Sequence, residues 1–230
     1  MEAPWSREEF VDRLRAVGEA KYHDKHPFHV RMHRGELSPP EVRGWIANRF
    51  YYQKMIPVKD ALILSKLPNR EDRRRWIQRI LDHDGRGDDE GGIEAWLRLG
   101  EAAGIPRAAL LDERHVVPGV RFAVDAYVHF CRLEPWWVAV ASSLTELFAP
   151  DLVARRIRVF EEHYPWVRPE GLAYFRQRLH QAPRDAEHGL ELVVRAAPTR
   201  ADQERTVAAL SFKCDVLWAL LDAVERAGPA

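Results

Sequence analysis

The chain has 230 residues, 35 of them basic and 35 acidic, so its formal net charge is zero. That balance argues against an electrostatic nucleic-acid binder, which needs a net basic face for phosphate contacts. No apolar run approaches the ~20 residues that a membrane span requires, and the two cysteines, Cys131 and Cys214, make no disulfide framework. The length suits one sizeable core, and no linker or composition break divides it, so one domain over 1–230 is expected. The opening Met1-Glu-Ala-Pro-Trp-Ser lacks the apolar core of a signal peptide, and a cytoplasmic location is the expectation.

In chain order, Ser6-Arg-Glu-Glu9 reads as a capping box ahead of Phe10, Leu14 and Val17. His23, His26, His29 and His33 follow, but Pro27 argues against one continuous helix, so the imidazoles need not share a face. A metal role is disfavoured there, and no Glu-x-x-His pair of the di-iron bundle type occurs anywhere. Ser38-Pro39-Pro40-Glu41 starts a second helix carrying Val42, Trp45, Ile46, Arg49 and Phe50. Pro57 is expected to break or bend it, leaving a short helix over 59–67, and Asn69 to cap the next, which runs to His83. Residues 84–92, rich in Gly and Asp, read as a flexible loop: a plain surface connection, or a mobile lid hinged beside His83. Further helices are expected at about 92–103, 120–133, 136–148, 151–162, 169–181, 184–196 and 200–226, separated by Pro or Gly. The fold class is all-α, a compact helical bundle.

The charges do not all keep to the wet faces. Arg79 and His83 share a stripe with Trp76 and Ile80, Tyr174 and Arg178 are four apart, and Lys213 lies between Leu210 and Leu217 on the greasy face of the last helix. Burying charge without a partner is costly, so the pattern points to a cationic cavity for an anionic ligand. In the nearest arrangement, Arg79 disfavours protonation of His83 and leaves a neutral base. In the alternative, Arg79 pairs with Asp82 or another acid, and His83 caps its helix. Arg49, Tyr52, Gln53 and Lys59 form a second polar group, suited to carboxylates or to snorkelling into water. Tyr127 and Glu146 read equally as satisfied core groups, and the run Arg155, Arg156, Arg158 as mostly solvated. Cys131 and Cys214 read as buried free thiols.

Longer blocks carry a resemblance: G-W-I-A-N-R-F-Y-Y-Q (44–53), R-R-R-W-I-Q-R-I-L-D-H-D-G (73–85), E-R-H-V-V-P-G-V-R-F-A-V-D-A-Y (113–127) and S-S-L-T-E-L-F-A-P (142–150). With G-G-I-E-A-W-L-R-L-G (91–100), H-Y-P-W (163–166) and the F-K-x-D-x-L-W segment (212–218), the chain resembles the pyrroloquinoline-quinone synthase family over nearly its whole length. The resemblance implies a haem-oxygenase-like bundle of roughly seven main helices, and a homodimer. It implies the last step of pyrroloquinoline quinone biosynthesis: closing the third ring of a bicyclic, multiply carboxylated quinone and oxidising it with molecular oxygen. Hydrogen peroxide is released, and no metal or organic cofactor takes part. It also implies His83 as general base, with His23, Tyr174 and Arg178 as the oxygen and peroxide pocket. Arg49, Lys59, Arg79, Arg156, Arg178 and Lys213 would be carboxylate partners, and Gln53, Tyr127 and Glu146 would orient the substrate. A pathway protein delivering the precursor is a further implied partner. The resemblance departs at Val153, where the family pattern carries His. Two other readings stand beside it: a thiaminase-like hydrolase using Cys131, and a non-catalytic carrier of the anionic quinone.

Overall fold

The computed structural model describes residues 2–228. Eleven α-helices and three short 3-10 turns make up its regular structure, and the described residues hold no strand, only an isolated bridge between Arg86 and Asp89. The helices are α1 (Arg7–Lys21), α2 (Pro27–His33), α3 (Pro39–Leu64), α4 (Arg70–Asp84), α5 (Gly91–Ala102), α6 (Arg107–Leu111), α7 (Pro118–Leu133), α8 (Trp136–Ala141), α9 (Ala149–His163), α10 (Ala173–Ala196) and α11 (Arg200–Ala227).

Both capping boxes form. Ser6 Oγ accepts from the Glu9 backbone N–H at 3.2 Å while the Glu9 carboxylate takes the Ser6 N–H at 2.8 Å. At the start of α3, Glu41 takes the Ser38 N–H at 2.8 Å. Asn69 does sit before α4, but its amide bonds the Asp72 side chain at 3.0 Å rather than the helix backbone.

Two prolines do not act as expected. Pro57 lies inside α3 and Pro183 inside α10, and neither helix ends there. A proline inside a helix costs about 3 kcal/mol through its missing N–H and ring clash. In α3, Lys59, Asp60 and Ile63 beyond Pro57 are all buried, and the helix packs on α4, α5 and α7 along its length. Tertiary contact outweighs the local penalty. The reverse error occurs at 136–148, where α8 stops at Ala141 and a separate 3-10 turn spans Leu144–Leu147. Pro27 does interrupt the histidine segment as expected: a short turn at His23–Lys25 ends before it, and α2 starts at Pro27, where the absent N–H is harmless.

The core lies where α3, α7, α10 and α11 meet the shorter helices, and Trp45, Trp76 and Trp96 are fully buried in it. Indole N–H groups need acceptors when buried. Trp76 Nε1 donates to the Asp60 carbonyl at 3.2 Å and Trp96 Nε1 to the Ile46 carbonyl at 3.0 Å, pinning α4 and α5 to α3. Trp218 of α11 donates to the Lys21 carbonyl at 2.7 Å, where α1 ends. The chain then turns extended at Tyr22, and Tyr22 and His23 point inward to a central cavity.

Candidate active site

A cavity of about 90 Å³ opens among α3, α4, α9, α10 and the 144–147 turn. Eleven of the twelve residues expected at the site line it: His23, Arg49, Gln53, Lys59, Arg79, His83, Tyr127, Glu146, Arg156, Tyr174 and Arg178. The reason is helical spacing. Arg49, Gln53, Ile56 and Lys59 fall on one face of α3, Arg79 and His83 on one face of α4, and Tyr174 and Arg178 on one face of α10. The exception is Lys213 of α11. It is buried behind the lining, its ammonium 2.8 Å from the Tyr52 hydroxyl and 3.4 Å from the centre of the Tyr127 ring.

One group of cations is braced by carboxylates. Arg79 reaches Glu146 at 2.6 Å, Asp60 at 3.4 Å and Asp185 at 3.8 Å. Arg178 meets Glu146 at 3.2 Å and Asp185 at 3.4 Å. Lys59 meets Asp60 at 2.7 Å and the Ser143 hydroxyl at 2.9 Å. Burial works against the charge on Arg79, but Glu146, Asp185 and Asp60 more than offset it and raise its pKa. Asp82 takes no part: it pairs with Arg184 and with the Gln78 amide at 2.8 Å.

A second group has no such bracing. Among the described residues no carboxylate lies within ion-pair distance of Arg49, Arg156 or Lys213, although Arg156 and Lys213 are 3% and 1% exposed. One buried terminal nitrogen of Arg49, Nε of Arg156, the Gln53 amide nitrogen and Nδ1 of His23 have no hydrogen-bond partner. Buried polar atoms are almost always paired, so the Arg49, Arg156 and Gln53 nitrogens mark where a ligand's acceptors would sit, and His23 Nδ1 marks a further polar contact. Burial, then Lys59 and Arg49, pushes the Lys213 ammonium well below its ordinary value. Burial, then Arg49 and Arg156, holds His23 well below the usual imidazole range. Arg155 and Arg158, on the outer face of α9, are exposed as expected, while Arg156 turns inward.

His83 is 4% exposed and its Nδ1 lies 2.9 Å from the Arg79 carbonyl. A carbonyl only accepts, so Nδ1 carries the proton and Nε2 keeps its lone pair. Burial and then Arg178 push His83 down to about 4, so it is neutral at pH 7. The cation responsible is thus Arg178, not the helical neighbour Arg79. The Tyr174 hydroxyl donates to the Gln53 side-chain oxygen at 2.9 Å, which orients that amide and leaves its nitrogen free. Gly92, at the start of α5, lies against both: a Cβ there would meet the Tyr174 ring at 3.3 Å and the His83 ring at 3.6 Å.

Several lining residues carry no signal in the sequence pattern, including Tyr22, Trp96, Ser143 and Thr145. Tyr52 lines the cavity beside Arg49 and Gln53 of the same polar group, and Tyr22 enters it as the neighbour of His23. Val153 lines the cavity one turn before Arg156 and offers it no polar atom. Cys131 does not line it, and burial pushes its thiol up. Among the described residues no three His, Cys, Asp or Glu side chains converge on a point where they could hold a metal ion.

The all-helical bundle is similar in fold to a solved Shewanella denitrificans domain of unknown function described as having a heme oxygenase-like fold, with a TM-score of 0.75, 13% identity and 97% and 93% of the two chains covered. A TenA homolog from Pseudomonas syringae superposes with a TM-score of 0.74 at 15% identity, over 98% of this chain and 99% of that one. Residues 11–223 match the model of the TENA/THI-4/PQQC family, and the chain belongs to that family. Within it the sequence is similar to pyrroloquinoline-quinone synthases. That of Klebsiella pneumoniae is 54% identical over 222 residues, 96% of this chain and 88% of the relative. That of Pseudomonas aeruginosa is 55% identical over 225 residues, 98% and 90% of the two chains.

Proposed function

We propose that the chain is a pyrroloquinoline-quinone synthase that carries out the last step of pyrroloquinoline quinone biosynthesis in this cavity. The observation that carries the reading is the set of buried guanidinium, amide and imidazole nitrogens left without partners around a neutral His83. A bicyclic quinone precursor bearing several carboxylates supplies what they lack. Arg49 and Arg156 take carboxylates, and Gln53, Tyr127 and Glu146 orient the rings. His83 Nε2 removes a ring proton, and the cationic lining stabilises the electron-rich anion that results. Each two-electron oxidation of the ring passes two electrons and two protons to one oxygen molecule, giving hydrogen peroxide. Tyr174, Arg178 and His23 serve that oxygen, and no resident cofactor takes part. The electrostatic neighbours divide this trio, grouping Arg178 with His83 and His23 with Arg49 and Arg156.

Metal-stripped protein mixed with the ring-open precursor tests the reading. Oxygen uptake with appearance of the tricyclic quinone is expected. Tight binding without oxygen uptake, and none restored by iron, would make the cavity a carrier site. The hydrolase alternative predicts that alkylating Cys131 abolishes activity, which its position away from the cavity argues against.

The protein acts as a cytoplasmic homodimer in this reading. Cys131 and Cys214 are free and buried, as suits a reducing compartment, and among the described residues no single helix is long and apolar enough to cross a membrane. Phe122 and Leu133 of α7 are 76% and 79% exposed, and a second copy of the chain would cover them. Sedimentation at twice the monomer mass, lost in Phe122→Asp, is the expected result.

A further inference from the structure

Three histidines of the α1–α2 connection and α2, His23, His29 and His33, turn their rings inward beside the cavity. His29 is fully buried, with the His23 ring 4.8 Å and the His33 ring 5.9 Å from its own. Its Nδ1 lies 2.9 Å from the His23 carbonyl. That carbonyl can only accept, so the proton sits on Nδ1 and the Nε2 lone pair is free. Nε2 lies 3.2 Å from a terminal nitrogen of Arg156. The donor can only be the guanidinium, so α2 holds α9 at this point.

Every other partner of Arg156 is also neutral. The Trp45 ring lies 5.0 Å and the Phe175 ring 5.8 Å from its central carbon, and Nε has no partner. A buried guanidinium ordinarily meets a carboxylate, as Arg79 and Arg178 do here. A carboxylate would orient the side chain equally well but would cancel its charge. A neutral acceptor orients it and leaves the charge in place.

We infer that His29 is a positioning residue, a neutral acceptor held in one tautomer by the His23 carbonyl, which aims Arg156 at the cavity and keeps its full positive charge for a carboxylate of the ligand. This deepens the quinone-synthase reading and rests on it. Burial, Arg156 and then His23 keep His29 well below the usual imidazole range, consistent with a ring that stays neutral.

The test is equilibrium binding of pyrroloquinoline quinone, followed by its absorbance, to the native protein and to His29→Gln, His29→Glu, Arg156→Gln and the double variant His29→Glu/Arg156→Gln. His29→Gln keeps a neutral acceptor and should bind within about twofold of the native protein. His29→Glu should weaken binding about tenfold or more. In the Arg156→Gln background the same change should cost no more than about twofold. Equal losses from His29→Glu in both backgrounds, or equal damage from Gln and Glu, would overturn the inference. Nitrogen-15 spectra of the native protein at neutral pH should show His29 protonated at Nδ1 and bare at Nε2. The opposite tautomer overturns it even where a variant fails to fold. A native protein that neither binds the quinone nor consumes oxygen would instead sink the functional reading, and the tautomer would still decide the His29–Arg156 contact.

Discussion

At the scale of single residues, the tautomer of His83 makes Nε2 the base, and its depressed pKa places the acid limb of activity. His83 titrates at about 4, so kcat/KM should hold constant from pH 7.5 down towards 5 instead of falling near the ordinary ~6.5 of an imidazole. A break near 6.5 would show that the base is more exposed than the structure has it. His83→Ala should bind the quinone and lose proton abstraction, cutting the single-turnover rate by about 10²-fold or more. An unchanged rate would remove His83 from that role. Arg178→Ser should slow the oxygen-dependent phase more than the earlier steps, because Arg178 is the cation that acts most strongly on His83; a pure loss of binding would place it with Arg49 instead. Membership of the site was largely readable from sequence, since Arg79, His83, Tyr174 and Arg178 sit on apolar stripes. Their partners were not. Arg79 bypasses Asp82, three residues away, for Asp60, Glu146 and Asp185 on three other segments, and no periodicity reports such distant pairing.

At the scale of elements, helix starts were legible through Ser6, Ser38 and their glutamates, because a cap is a local interaction. Helix interruptions were not, because Pro57 and Pro183 are overruled by packing that local sequence does not contain. The 84–92 segment is a surface connection, shorter than its composition suggests. The helices close in on it to Asp84 and Gly91, leaving a tight turn closed by Arg86–Asp89 backbone bonds of 2.7 and 3.0 Å in place of a long lid. Gly91 has φ +76°, and a Cβ there would meet the Gly85 nitrogen at 2.4 Å and the His83 carbonyl at 2.6 Å. Gly91→Ala should therefore cost about 1–3 kcal/mol in denaturant unfolding and disturb His83 as well. Equal stability and equal turnover would show that the turn relaxes independently of the site.

At the scale of the whole molecule, the two groups of cations should respond oppositely to truncation. Arg79→Ala leaves Asp60, Glu146 and Asp185 short of a partner and should cost about 3–5 kcal/mol. Arg49→Gln strands no carboxylate, so it should leave thermal stability unchanged or improved while weakening quinone binding. If calorimetry shows equal losses for the two, the division of the cavity is wrong. The buried imidazoles also set acid tolerance. His83 and His188 titrate at about 4 and His33 at about 3 in the folded chain, and burial likewise holds His23 and His29 well below their ordinary value. The unfolded chain binds protons below ~6.5 and the folded one does not. Stability is therefore full above that pH and falls as pH drops, by about 2 kcal/mol for each fully buried ring at pH 5. Urea midpoints at pH 8 and pH 5 should differ accordingly. A final consequence concerns traffic. With 35 charges of each sign, the molecule projects little field beyond a Debye length of ~8 Å, so an approaching polyanion is not steered from afar. Its arrival rate should lie in the ordinary range of about 10⁵–10⁶ M⁻¹s⁻¹ and change little with ionic strength. Discrimination among anions then resides in how long each one stays.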